Sequence, residues 1–238
     1  MSLTYDNNKE SIFFQKVSKK AEKMALMNDV YSYIENNYRP NEPIFLSELN
    51  IPGMKAVSVR QQMKKLTESG QLKRFDTGIY YIPKKSMFRS GSSLSVDEVI
   101  RRKYLADGGN CCGYVGGILF ANRLGLTTQV PGVYEVYTNK ATTEYRETQL
   151  ANLRVIIRKP YCAIDEKNVA TLQFLDLLKE IVDISEVDGE ELTNRLIGYM
   201  KKKSIGFESM RQFLPYYPER IYKNMYEVGL LNGVSARE

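Results

Sequence analysis

The sequence predicts an α+β chain in two parts. A small N-terminal module of helices ends in a β ribbon, and a C-terminal domain holds a small antiparallel sheet with several helices. Three observations carry this. Apolar residues recur at helical spacings of three and four, as in Val17, Ala21, Met24, Met27, Tyr31, Ile34 and Tyr38. Short β-rich runs flank turn residues such as Asp76-Thr77-Gly78. Charge divides the chain: residues 1–93 hold 15 Lys and Arg against 9 Asp and Glu, whereas residues 94–238 hold 19 of each. The whole formal charge of +6 therefore sits in the N-terminal part.

In chain order, the first element is a long amphipathic helix over Glu10–Tyr38, with Lys16, Lys19, Lys20 and Lys23 on its first half and Pro40 and Pro43 ending it. Phe45–Leu49 reads as a short helix start with Ser47 as a plausible N-cap. Lys55 opens a third helix, in which Val59, Met63 and Leu66 form the apolar face. Ser58, Gln61, Gln62 and Lys65 fall largely on the other side, flanked by Arg60 and Lys64. Gly70 stops the helix, and Leu72–Phe75 and Ile79–Ile82 read as two strands of a hairpin. Three helices followed by a basic hairpin form the pattern of a winged helix-turn-helix, assigned here to residues 1–83.

A polar Gln and Lys helix face is ordinarily just solvated. The charge balance favours more, because Lys55–Arg89 holds nine basic residues against Glu68 and Asp76. Such a surface suits a polyanion, since each neutralised phosphate releases a counterion. The residues expected to meet double-stranded DNA are Lys55, Ser58, Arg60, Gln61, Lys64 and Lys65 on the helix, with Lys73 and Arg74 on the wing. Arg can read guanine bidentately and Gln can read adenine. A membrane surface fits less well, because no stretch joins a basic face to a large apolar one.

Lys84–Ser93 is rich in Ser and Gly with basic residues and reads as part of a linker over 84–94. The C-terminal domain then spans 95–238. Ser95 and Glu98 make a capping box that opens a helix through about Ala106. The glycines of Gly108–Gly117 lack the spacing of a phosphate-binding loop. They predict instead a buried helix over Tyr114–Leu124 with Gly113 and Gly117 at close contacts and Gly125 as its stop. Val133–Thr138, Thr142–Thr148 and Leu153–Arg158 read as a three-stranded antiparallel meander. Asn168 caps a helix with Leu172, Leu175, Leu178 and Val182 inward. Helices over Glu190–Lys203, Phe207–Leu214 and Glu219–Leu231 complete the chain.

Composition narrows the chemistry. Histidine is absent, which removes His-based acid–base catalysis, Ser-His and Cys-His pairs and His-containing zinc sites. The cysteines Cys111, Cys112 and Cys162 form neither a CxxC pair nor an even disulfide set. A nucleic-acid-modifying enzyme is a further alternative, but Glu135, Glu144, Glu147, Asp165, Glu166, Asp183, Asp188, Glu190 and Glu191 of the C-terminal part match no nuclease or transferase pattern. The expectation is a protein that is not an enzyme, with no metal and no cofactor. The polar start at Met1–Glu10 and the lack of a long apolar run predict a cytoplasmic protein with no membrane partner.

Two stretches together carry a family resemblance. In Val57–Pro83, Arg74, Gly78 and Tyr80 form an R-x-x-x-G-x-Y wing. In Gly116–Asn139, Ala121, Leu124, Gly125, Leu126, Thr127, Thr128, Gln129, Val130 and Pro131, followed by Thr138, form an A-x-x-L-G-L-T-T-Q-V-P signature. Their order and spacing resemble the AbiEi-type antitoxins of type IV toxin–antitoxin and abortive-infection systems, over about residues 40–160. The resemblance implies a repressor that binds its own operator through the winged helix. It also implies an antitoxin for phage defence, whose C-terminal domain counters a nucleotidyltransferase-like toxin with or without a direct complex. The alternative reading is a plain winged-helix regulator with a partner- or ligand-sensing C-terminal domain.

Overall fold

The computed structural model describes residues 29–84 and 93–231. Most of the expected first helix, including Lys16, Lys19, Lys20 and Lys23, lies outside the described residues, as does most of the expected linker. The fold is mixed α+β with small sheets. It divides into two compact units, Met1–Val99 and Ile100–Glu238.

In the first unit, helix α1 covers residues 29–37. Strand β1 is Ile44–Phe45, helix α2 is Ala56–Glu68, and strands β2 (Lys73–Asp76) and β3 (Ile79–Tyr81) form a hairpin. The sheet order is β1-β3-β2, antiparallel throughout. The expected helix at Phe45–Leu49 is therefore corrected: Ile44 and Phe45 pair with Tyr80 and Ile79, and a turn follows. Pro43 favours an extended chain before it. Burying Ile44 and Phe45 against the hairpin then outweighs the weak helix signal of five residues. The core of this unit joins Val30 and Ile34 of α1, Ile44, Ile51, Leu72 and Ile82 to Val59, Met63 and Leu66 of α2. Fully burying a side chain of this size is worth about 1.5–3 kcal/mol.

The second unit begins within helix α3 (Val96–Ile100), which runs into a wider π-type turn over Arg101–Leu105. A small hairpin of β4 (Ala106–Asp107) and β5 (Asn110–Cys111) follows. Next come β6 (Gly113–Val115), α4 (Gly117–Arg123), β7 (Val133–Thr138), β8 (Tyr145–Leu150) and β9 (Leu153–Arg158). The helices α5 (Val169–Ile184), α6 (Gly189–Lys203), α7 (Phe207–Arg211) and α8 (Arg220–Glu227) end the described chain, with a single 3-10 turn at Leu214–Tyr216 before α8.

Several expectations change here. Tyr114–Leu124 is not one helix, since Gly113–Val115 pairs as a strand with β7 and the helix starts only at Gly117. The switch sits at Gly116-Gly117, where Gly117 takes φ +58 and an added methyl would meet Glu135. The three expected strands exist, but β8 begins at Tyr145 and they are no meander. The sheet order is β6-β7-β9-β8, with β7 and β9 parallel. Strand β9 is the apolar one, with Val155 and Ile157 buried, and it takes an interior position. Strand β8, Tyr-Arg-Glu-Thr-Gln-Leu, is polar and mostly exposed, so it takes the edge. Asn168 does not cap α5 through its side chain. Asp165 Oδ1 accepts the backbone N–H groups of Lys167 and Asn168, both at 2.9 Å. Leu172, Leu175 and Leu178 face inward, whereas Val182 is exposed and Ile181 takes the buried place.

Candidate nucleic-acid interface

Helix α2 has one apolar side and one exposed side. Val59, Gln62, Met63 and Leu66 are buried. Val57, Arg60, Gln61, Lys64 and Glu68 are exposed at spacings of three and four, which makes a single stripe along the helix. Lys55 precedes the helix in an extended conformation and is exposed, and no side chain caps the first turn. That turn carries no acidic residue, so its N–H groups and the positive end of the helix dipole meet no nearby carboxylate from α2 itself. Lys64 reaches Glu68 only at 3.9 Å, with both side chains well exposed. A pair of this kind contributes little and yields readily to a stronger anion.

The expected contact residues thus separate. Lys55, Arg60, Gln61 and Lys64 share the exposed side of α2, while Ser58 and Lys65 are half-buried at its margins. Gln62, expected on the polar side, lies in the core. Its Oε1 has no hydrogen-bond partner among the described residues. The reason is rotational, because Gln62 follows Val59 by three positions and precedes Leu66 by four, inside the apolar stripe.

On the hairpin, Lys73 is half-buried and Arg74 is exposed. Arg74 braces the turn: its Nε donates to the Asp76 carbonyl at 3.2 Å and its Nη2 donates to the Thr77 hydroxyl at 3.0 Å. Asp76 Oδ1 accepts from Thr77 N at 2.6 Å, and Gly78 closes the turn with φ +74. The ladder slips by one residue between Arg74 and Asp76, a bulge that turns the tip.

The second unit holds a polar cluster that sequence reasoning does not single out. Asp176 and Lys179 lie one turn apart on α5 inside the core, with Lys179 Nζ 3.1 Å from Asp176 Oδ1. The Tyr114 hydroxyl donates to Asp176 Oδ2. Lys179 Nζ donates to the Tyr137 oxygen at 3.2 Å, and the Tyr137 hydroxyl donates to Glu135 at 3.2 Å. Arg158 closes the chain on Glu135. Burial pushes the Asp176 carboxyl up from its ordinary value, against the pull of Lys179 and Tyr114. Burial also works against the Lys179 ammonium, yet Asp176 and Glu180 hold its pKa above the ordinary lysine value. Burial, then the Asp176 charge, pushes Tyr137 upward, so its hydroxyl stays protonated. No sequence signal singles it out: Gln173, Asp176, Glu180 and Asp183 recur at spacings of three and four, the period of an ordinary solvated helix face, so only packing shows that Asp176 is buried.

Among the described residues, no three Cys, Asp or Glu stand together as metal ligands. Among them also, no helix is long and apolar enough to cross a membrane. No protein-family model and no curated protein matches this chain.

Proposed function

We propose that this chain is a transcriptional repressor that binds duplex DNA through α2 and the β2–β3 hairpin, used as a winged helix-turn-helix. The observation that carries the reading is the exposed stripe of α2, where Arg60, Gln61 and Lys64 line one side of a helix in the N-terminal part that holds all of the net +6 charge. The stripe from residue 57 to residue 64 is about 10 Å long at 1.5 Å per residue. Stacked base pairs rise about 3.4 Å each, so the stripe matches about three of them. A helix is the element that fits the B-DNA major groove. The strand β1 supports the wing by pairing with β3, which holds the hairpin close to the base of α2.

We extend the proposal to an antitoxin role in a type IV toxin–antitoxin, abortive-infection system of the cytoplasm. This part rests on the resemblance carried by Arg74, Gly78 and Tyr80 and by Ala121–Pro131. In it the second unit counters a nucleotidyltransferase-like toxin and performs no catalysis of its own.

Fluorescence anisotropy tests the DNA half, using the duplex upstream of the chain's own gene and a scrambled duplex, each at two salt concentrations. Tighter binding to the upstream duplex with a steep salt slope is the expected result. Equal and weak binding to both would leave only generic charge attraction. Co-expression with a neighbouring nucleotidyltransferase-like gene tests the antitoxin half through rescue of growth.

A further inference from the structure

We infer that Val57 reads the 5-methyl group of thymine, so that α2 distinguishes thymine from the other pyrimidines by an apolar contact. The inference rests on the duplex-binding reading and deepens it. Val57 is 62% exposed, and in the first unit it is the one exposed large apolar side chain among the described residues. It stands in the first turn of α2, one and two turns ahead of Arg60, Gln61 and Lys64 on the same exposed stripe. Recognition helices touch base edges with their N-terminal residues.

The neighbours fit the role. Ala56, Val57 and Ser58 are all small, so the first turn of α2 can approach a groove floor without steric conflict. Lys55 before them and Arg60 after them flank that small-residue turn with cations suited to the phosphate walls. Valine is a poor choice for an exposed helix position on propensity alone, since its branched Cβ loses rotamer freedom there. It packs against nothing in its own core, as Val59, Met63 and Leu66 fill that side. Thymine is the one base of DNA that offers a methyl group in the major groove, and small apolar side chains are its ordinary partners.

The test uses the full chain and starts from random duplex sequence, so the operator need not be identified first. A randomised duplex library is enriched for bound sequences, and the enriched pool is then amplified with either dTTP or dUTP. The two pools differ only in the 5-methyl groups. Anisotropy with wild-type protein is expected to show about fourfold weaker binding to the uracil pool for one methyl removed from contact. Val57→Ser is expected to bind both pools equally, with an unchanged melting temperature, because the Val57 side chain supports no core contact and Ser and Val have similar helix propensities.

Equal binding of both pools by the wild type, with a steep salt slope retained, overturns the inference and leaves the DNA-binding reading intact. A preference for thymine that persists in Val57→Ser also overturns it, since duplex shape would then be the cause. Failure to enrich any pool overturns both the inference and the reading beneath it.

Discussion

Glu186 and Thr128 are joined twice, although 58 residues separate them: Glu186 Oε2 accepts the Thr128 backbone N–H at 2.7 Å and the Thr128 hydroxyl at 2.8 Å. The Glu186 N–H in turn donates to the Leu126 carbonyl at 2.8 Å. The loop after α4 is thereby tied to the end of α5. Donation by the Thr128 backbone, then by the Thr128 and Thr127 hydroxyls, holds the Glu186 carboxyl down from 4.5 to about 2.

That shift predicts a pH dependence. A carboxyl lowered in the folded state stabilises fully above its unfolded value of 4.5, and this contribution is lost as pH falls toward 2. Wild type should therefore melt above Glu186→Gln at pH 6 by a margin that solvent screening of this exposed carboxylate keeps small, and the two should converge between about pH 4.5 and 2. A gap that stays constant over that window would show that the carboxylate is not what ties the loop.

Asp176 and Lys179 should behave as one unit. Removing Lys179 leaves the Asp176 carboxylate in the core without its cation, so Lys179→Met is expected to cost about 3–5 kcal/mol in denaturant unfolding, whereas Asp176→Leu leaves Lys179 with Glu180 at 3.5 Å and should cost less. The double variant replaces the pair with apolar groups and should recover most of that loss. Two single losses that simply add in the double variant would mean the groups act independently.

Burial on α2 separates two neighbouring polar residues. Arg60→Ala or Lys64→Ala is expected to weaken duplex binding by about 1–3 kcal/mol where the side chain reads a base. Gln62→Leu should leave binding unchanged and raise stability by about 1 kcal/mol, because it removes a buried acceptor that lacks a partner. Anisotropy and denaturant unfolding on the same preparations decide both. Loss of binding in Gln62→Leu with Arg60→Ala unaffected would place the interface on the opposite side of α2.

Two glycines should respond in opposite directions. A methyl added at Gly113 would stand 2.6 Å from the Tyr137 carbonyl oxygen and 2.8 Å from that of Tyr104. Both are backbone atoms that cannot swing away, so Gly113→Ala is expected to cost about 3 kcal/mol. Gly198, within α6, has nothing within 4 Å of such a methyl. Gly198→Ala should stabilise by about 0.5–1 kcal/mol by raising helix propensity. Thermal melts read both, and a tolerated Gly113→Ala would mean that β6 and β7 can separate.

Much of the local structure is legible in the sequence. Helix α2, the β2–β3 hairpin and the four C-terminal helices follow from hydrophobic period and from turn residues, which act over a few positions. The exposed stripe of α2 is legible for the same reason, with Gln62 as the exception at the margin between two faces. Tyr114-Val115 is not, because a short apolar run ahead of a glycine pair fits a buried helix as well as a strand. Only pairing with Val136 and Tyr137 separates the two.

The sequence alone determined that this is an α+β chain, that its net positive charge is confined to the N-terminal part, and that one helix of that part carries a basic stripe. Those properties depend on composition and on spacings of three and four. Tertiary structure alone decided that Ile44-Phe45 is a strand, that β9 lies between β7 and β8, and that Asp176 and Lys179 face each other inside the core. Each of these depends on partners distant in the chain, where burying the most apolar strand and satisfying buried polar groups outweigh local preference.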